Sequence, residues 1–304
     1  MVRTMVRAGR IPIARALLAA LATALLTPAL PARAQMLPPF KDALFAYPAV
    51  LSSRDDGRYR IVDYRELRDI NERDAIPERR VHGRYISLGV RRVQEDLVAD
   101  TPAGGIAHVA VGKRAGAGVI VVYLHGQGGS RKQGVDDFTF GGNFNRIKNL
   151  VAEAGGLYLS PDFSTFGEKG AAEIAALLAA YQRASPGAPV FLACGSMGGH
   201  LCWQLAGTPA VAARLGGLLL LGSLWSDAFL ASPAFGRRVP LFIGQGSGDK
   251  VFPIEHVEAF YRAILKKAPD YPVRMVRFET GSHGTPIRMT DWRETLNWML
   301  AARK

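Results

Sequence analysis

A serine at position 196, a carboxylate at 249 and a histidine at 283 stand out in this chain by type and by order. Ser196 sits in the stretch Cys194-Gly195-Ser196-Met197-Gly198-Gly199. A serine hydroxyl is a weak nucleophile until a base takes its proton, and that base needs an acid to orient it. Small residues on both sides let the backbone turn tightly and lift the hydroxyl clear of the elements it joins. The usual spacing is G-x-S-x-G; here Cys194 holds the first glycine's place, and its small side chain is expected to be tolerated. Taken alone, Ser196 also suits a helix N-cap. The groups downstream give it a chemical reading.

Asp249 follows Gln245-Gly246-Ser247-Gly248, just past an apolar run, and Pro253 opens the next helical pattern. That places a carboxylate where a strand ends. A turn-and-cap role is its plainer alternative, and Asp227, after the run Leu218-Leu219-Leu220-Leu221, is the second candidate for the acid. His283 lies in the glycine-flanked loop Gly281-Ser282-His283-Gly284 and is the candidate base. His200 and His256 read as helix-face or surface residues, His82 and His108 as strand residues without special context, and His125 as a structural residue.

Attack on a carbonyl also needs donors for the developing oxyanion. The segment His125-Gly126-Gln127-Gly128-Gly129 follows a strong apolar run at 119–124, and its glycines let the backbone approach a substrate. The backbone N–H groups of Gln127 and Met197 are assigned as these donors. Gly126, Phe138, Phe140 and Asp162 are the candidate substrate contacts. The phenylalanines, with Phe144, either wall a pocket or pack a long loop onto the body. Arg131 and Lys132 read as a solvated loop face.

With these segments in hand, the chain resembles the α/β-hydrolase superfamily from about Val81 to its C-terminus. The likeness rests on His125-Gly126, the Ser196 turn, Gly248-Asp249 with Phe252-Pro253, and Gly281-Ser282-His283-Gly284. It is most similar to lidless esterases and to the catalytic domains of dienelactone-hydrolase-like and prolyl-oligopeptidase-like enzymes. The resemblance implies Ser196 as nucleophile, Asp249 as acid and His283 as base, in acyl transfer to water without metal or organic cofactor.

These side chains must be held by alternating strands and helices. Apolar runs at 106–111, 119–124, 156–160, 189–193, 218–221, 239–244 and 272–278 read as strands, with an earlier one at 85–90. Helical patterns fall at 144–154, 171–183, 198–206, 254–267 and 289–302, with a shorter one at 65–70. The fold class is therefore α/β, a mostly parallel sheet with helices on both faces. Between residues 222 and 239 there is room for one short helix and none for a lid.

The 304 residues, 48% hydrophobic, suffice for one such domain. Residues 1–34 read as a secretory signal peptide: scattered arginines, an apolar core at 16–26, and Ala32-Arg33-Ala34 as a cleavage site after Ala34. The mature protein is then periplasmic or secreted, without stable membrane insertion. Removing that leader takes away five arginines and lowers the net charge from +12 to +7. No nucleic-acid motif accompanies the remaining charge. Residues 35–80, dense in both charge signs, form an N-terminal extension packing on the body, and residues 81–304 the catalytic domain. Cys194 and Cys202, set along a rising helix, are expected about 9 Å or more apart, and so to be buried thiols rather than a disulfide.

The reading is an exported serine hydrolase acting on a small-molecule or polymer carboxylic ester. A peptidase with the same triad and a non-catalytic binding module on the same scaffold are its rivals. Oligomeric state is not encoded in any feature above.

Overall fold

A computed structural model describes residues 36–303. Alternation decides which face each strand residue takes. Ile120, Val122 and Leu124 point into one apolar layer, while Val119, Val121 and Tyr123 point into the other. A strand apolar on both faces must be covered on both, and it is.

The strands in chain order are β1 (Val50–Arg54), β2 (Tyr59–Asp63), β3 (Asp74–Ala75), β4 (Arg80–Val81), β5 (Gln94–Thr101), β6 (Gly104–Gly112), β7 (Ile120–Leu124), β8 (Leu157–Pro161), β9 (Val190–Ser196), β10 (Leu215–Ser223), β11 (Leu241–Gly246) and β12 (Val273–Glu279). The helices are α1 (Asp42–Phe45), α2 (Glu66–Arg73), α3 (Asn143–Glu153), α4 (Glu168–Ala184), α5 (Gly199–Gly207), α6 (Pro209–Ala212), α7 (Pro233–Gly236), α8 (Ile254–Lys267), α9 (Thr285–Met289) and α10 (Trp292–Ala302). One ten-stranded sheet runs β1-β2-β12-β11-β10-β9-β7-β8-β6-β5, and β3 pairs with β4 apart from it. From β8 through β7, β9, β10, β11 and β12 to β2 every neighbour is parallel. Antiparallel pairs close both edges, β1 on β2 and β5–β6 on β8. Helices α4, α5 and α8 bury Ile174, Leu201 and Phe260 on one face; α3 and α10 bury Ile147 and Leu296 on the other.

Residues 36–80 do more than lie on the surface, for they supply β1 and β2 to the main sheet. Their anchors are polar and reach far along the chain. The Leu37 N–H donates to Asn297 Oδ1 at 2.7 Å, Asp42 pairs with Arg146 and Arg293, and Asp74 takes Arg288 at 2.6 Å. The proposed leader, residues 1–34, lies outside the described residues.

Three expectations are corrected. The strand read at 85–90 is instead two 3-10 turns, Gly83–Tyr85 and Leu88–Val93. Tyr85 and Val90 are buried and Leu88 is exposed, and the backbone of Ser87 bonds to the side-chain amides of Asn145 and Asn149 on α3, which takes the place of a strand ladder. The helix read at 289–302 is broken: α9 ends at Met289, and Asp291 starts α10 by accepting the N–H of Glu294. Cys194 and Cys202 form a disulfide, with Cα atoms 6.5 Å apart. The chain reverses after Ser196, so α5 runs back along β9 and returns Cys202 to Cys194; spacing measured along a single rising helix overestimates that distance.

Candidate active site

Four strands of the parallel part of the sheet, β7, β9, β11 and β12, deliver the predicted chemical residues at their C-terminal ends. In a parallel sheet that edge is where side chains from separate strands converge. Ser196 closes β9 with φ +50°, a left-handed backbone that residues other than glycine rarely adopt. The tight turn depends on missing side chains around it. A Cβ on Gly126 would sit 2.7 Å from the Ser196 Cβ, and one on Gly198 would collide with the Leu124 carbonyl. The substitution of Cys194 for the first glycine leaves the turn formed. Ser223, opposite Ser196 on β10, donates its hydroxyl to the Ser196 carbonyl at 2.6 Å.

His283 stands between the other two groups. Its Nε2 is 2.9 Å from Ser196 Oγ, and its Nδ1 is 2.8 Å from Asp249 Oδ2. Asp249 is buried, and its Oδ1 accepts the backbone N–H groups of Val251 and Phe252 at 2.7 and 3.1 Å. Gln245 Nε2 donates to Oδ2 at 2.8 Å and to the Phe252 carbonyl at 2.7 Å. Burial pushes this carboxyl up, but the bonds from His283, Val251 and Phe252 outweigh it and hold Asp249 below the usual carboxylate range. The carboxylate is therefore ionised at neutral pH and accepts from Nδ1–H, which leaves Nε2 as the acceptor facing Ser196. Asp227, the second candidate acid, lies exposed in a 3-10 turn after β10 and makes no bond to His283.

The hydroxyl opens onto a cavity of about 170 Å³, walled by Gln127, Phe140, Leu221, Ile287 and Tyr123. Gly126 and His283 also border it. Among the described residues, no protein group accepts the amide N–H of Gln127 or of Met197. The Met197 amide comes just before α5, where uncommitted N–H groups and the positive end of the helix dipole gather. A carbonyl bound here can meet a hydroxyl, a base and free amides together.

Phe140 lies in the cavity wall, but Phe138 does not. Phe138 packs with Phe45, Val81 and Tyr85, and the Arg80 guanidinium covers its ring at 4.1 Å. Asp162 also turns elsewhere: it accepts the Arg131 N–H and its guanidinium, each at 2.6 Å, and Arg131 is further held by Asp96. His125 is buried, stacks on Phe163 at 4.3 Å and bonds through Nδ1 to the Gly126 carbonyl. His256 stacks on Trp225, and His108 meets the Tyr181 hydroxyl at 2.6 Å.

Gln245 and Ser223 escaped the sequence reading. The one signal for Gln245 is an amide at the end of an otherwise apolar strand, four residues before the aspartate. Ser223 ends β10 after a leucine run, and nothing in that local pattern shows that it sits opposite Ser196.

No family model matches the chain, and no curated protein matches it. Solved structures do. A putative α/β hydrolase from Agrobacterium tumefaciens aligns over 68% of this chain and 95% of its own, at 17% identity and a TM-score of 0.52. An α/β serine hydrolase homologue from Coxiella burnetii aligns over 67% and 95%, at 20% identity and a TM-score of 0.50. At such identities the likeness is one of fold, and the fold is that of the α/β hydrolases.

Proposed function

We propose that this chain, with its α/β-hydrolase fold, is an exported serine hydrolase that cleaves a carboxylic ester. The observation that carries this reading is the continuous contact from Ser196 Oγ through His283 to Asp249, 2.9 and 2.8 Å, beside an open cavity.

Ser196 Oγ attacks the ester carbonyl while His283 Nε2 takes its proton. The C–O double bond becomes a C–O⁻ single bond, received by the N–H groups of Gln127 and Met197. Asp249 fixes the imidazole and stabilises its positive charge. When the tetrahedral species collapses, the bond to the alcohol oxygen breaks, and His283 gives that oxygen its proton. The acyl group now rests on Ser196. Water enters, His283 takes its proton, and a second collapse releases the carboxylic acid and restores the serine hydroxyl. Over one turnover the serine proton leaves on the alcohol and a proton from water replaces it, so Ser196 and His283 return to their starting states.

The test is hydrolysis of nitrophenyl esters of increasing acyl length by the protein and by Ser196→Ala. Turnover that disappears in the variant supports the reading, and the length optimum measures the acyl side of the cavity. Absence of turnover on all of them counts against a general esterase. Export rests on the composition of residues 1–34 and is tested by the N-terminal sequence of the protein recovered outside the cytoplasm, expected to begin at Gln35.

A further inference from the structure

Beside the catalytic cavity lies a second one of about 250 Å³, and Phe140 and Gly284 border both. Its outer wall comes from residues 64–79 of the N-terminal extension. Its inner wall is Ser282, Gly284 and Thr285, which flank His283. The two walls are tied, for the Thr280 hydroxyl donates to the Tyr64 carbonyl at 2.6 Å.

Its lining has a distinct arrangement. Tyr64 and Ile70 are buried at its floor, and the half-buried Phe140 ring divides it from the serine. Glu66, Arg79 and Thr139 are exposed along it. Neither the Glu66 nor the Arg79 side chain makes a hydrogen bond or ion pair with another described residue. Arg288 also borders the cavity, but its charge is met by the buried Asp74 at 2.6 Å. An anionic ligand would meet Glu66, and a cationic one Arg79. A neutral ligand rich in hydroxyls uses both, since a carboxylate accepts two hydroxyl protons and a guanidinium donates to two oxygens. The rings of Phe140 and Tyr64 and the side chain of Ile70 suit the C–H face of such a ligand.

Position fixes which part of the substrate enters. His283 protonates the departing alcohol, so that alcohol leaves alongside the histidine loop, and this loop walls the second cavity. We infer that the second cavity is a subsite for the alcohol portion of the ester, and that this alcohol is a polyol of the sugar type, held by Glu66 and Arg79 beyond Phe140. The inference rests on the esterase reading and adds the class of alcohol to it.

The experiment compares two acetates that differ only in the alcohol, ethyl acetate and a monoacetylated methyl glucoside. The wild-type protein is expected to prefer the glucoside by kcat/KM. The double variant Glu66→Gln/Arg79→Gln is expected to lower that preference roughly 10-fold, chiefly through KM. Arg92→Gln, an exposed change in the turn Leu88–Val93, is expected to leave the preference as it was. No preference in the wild type, or an unchanged preference in the double variant, overturns the subsite. Labelling of Ser196 by a fluorophosphonate is followed in the same samples. Labelling with an unchanged preference overturns the subsite alone; absence of labelling overturns the serine hydrolase and the subsite with it.

Discussion

The imidazole of His283 and the carboxylate of Asp249, 34 residues apart in sequence, meet at 2.8 Å because β11 and β12 are parallel neighbours whose C-terminal loops rise side by side. The aspartate is held independently of the histidine, by two backbone N–H groups and the Gln245 amide. Replacing Asp249 by asparagine keeps the shape but presents an amide where an acceptor is required. The account predicts a fall in kcat of about 10³–10⁴-fold with KM little changed. Steady-state kinetics on a nitrophenyl ester measures it.

The same carboxylate gives stability a pH dependence. Its folded pKa lies below its unfolded value, so between the two the unfolded chain binds more protons. Its contribution is therefore complete above about pH 4 and is lost as pH falls through the folded value. Urea unfolding followed from pH 6 down to pH 3 is expected to show wild type losing stability more steeply than Asp249→Asn. Parallel curves would remove Asp249 as the source.

Ser223 holds the carbonyl of Ser196 from the adjacent strand. Ser223→Ala leaves that carbonyl without this donor and is expected to cost about 1 kcal/mol of stability. Chemical denaturation reads the loss directly.

Lys148 on α3 is buried, and its ammonium lies 2.7 Å from Asp137, which is also buried. Burial pushes the lysine pKa down, and Asp137 opposes that shift, with the Val135 carbonyl and Gln94 Oε1 as further acceptors of the ammonium. Asp137→Ala is expected to destabilise by about 3–5 kcal/mol. The pair Asp137→Leu/Lys148→Met is expected to recover most of this, since no buried charge is left unpaired and Arg91, the other ion partner of Asp137, is half-exposed to water. Melting both variants against wild type tests the contrast.

The disulfide between Cys194 and Cys202 closes a short loop across the serine turn. Thiol titration in denaturant is expected to find no free thiol without reductant and two after reduction. The double Cys→Ser variant is expected to lose about 2–3 kcal/mol.

What the sequence revealed follows from where burial is strongest. The runs at 119–124 and 218–221 are apolar on both faces, so β7 and β10 were legible directly. The strand β5 was not, because an edge strand with one exposed face reads Gln94-Glu95-Asp96-Leu97, and its pairing with β6 supplies the order that its composition lacks. The serine, aspartate and histidine were legible because each follows an apolar strand and is set among glycines. Phe138 and Phe140 were not separable: two residues apart in a loop without period, one turns to the Arg80 side and the other to the cavity. The cysteine distance failed for a related reason, since the reversal at Ser196 belongs to the tertiary path.

The central claim is that Ser196 is an activated nucleophile. The most direct measurement is to treat the protein with a fluorophosphonate and locate the adduct by peptide mass spectrometry. The account predicts a single stoichiometric adduct on Ser196, absent in Ser196→Ala and much slower to form in Asp249→Asn. No adduct on the folded protein, or one on another serine with Ser196 free, would contradict it.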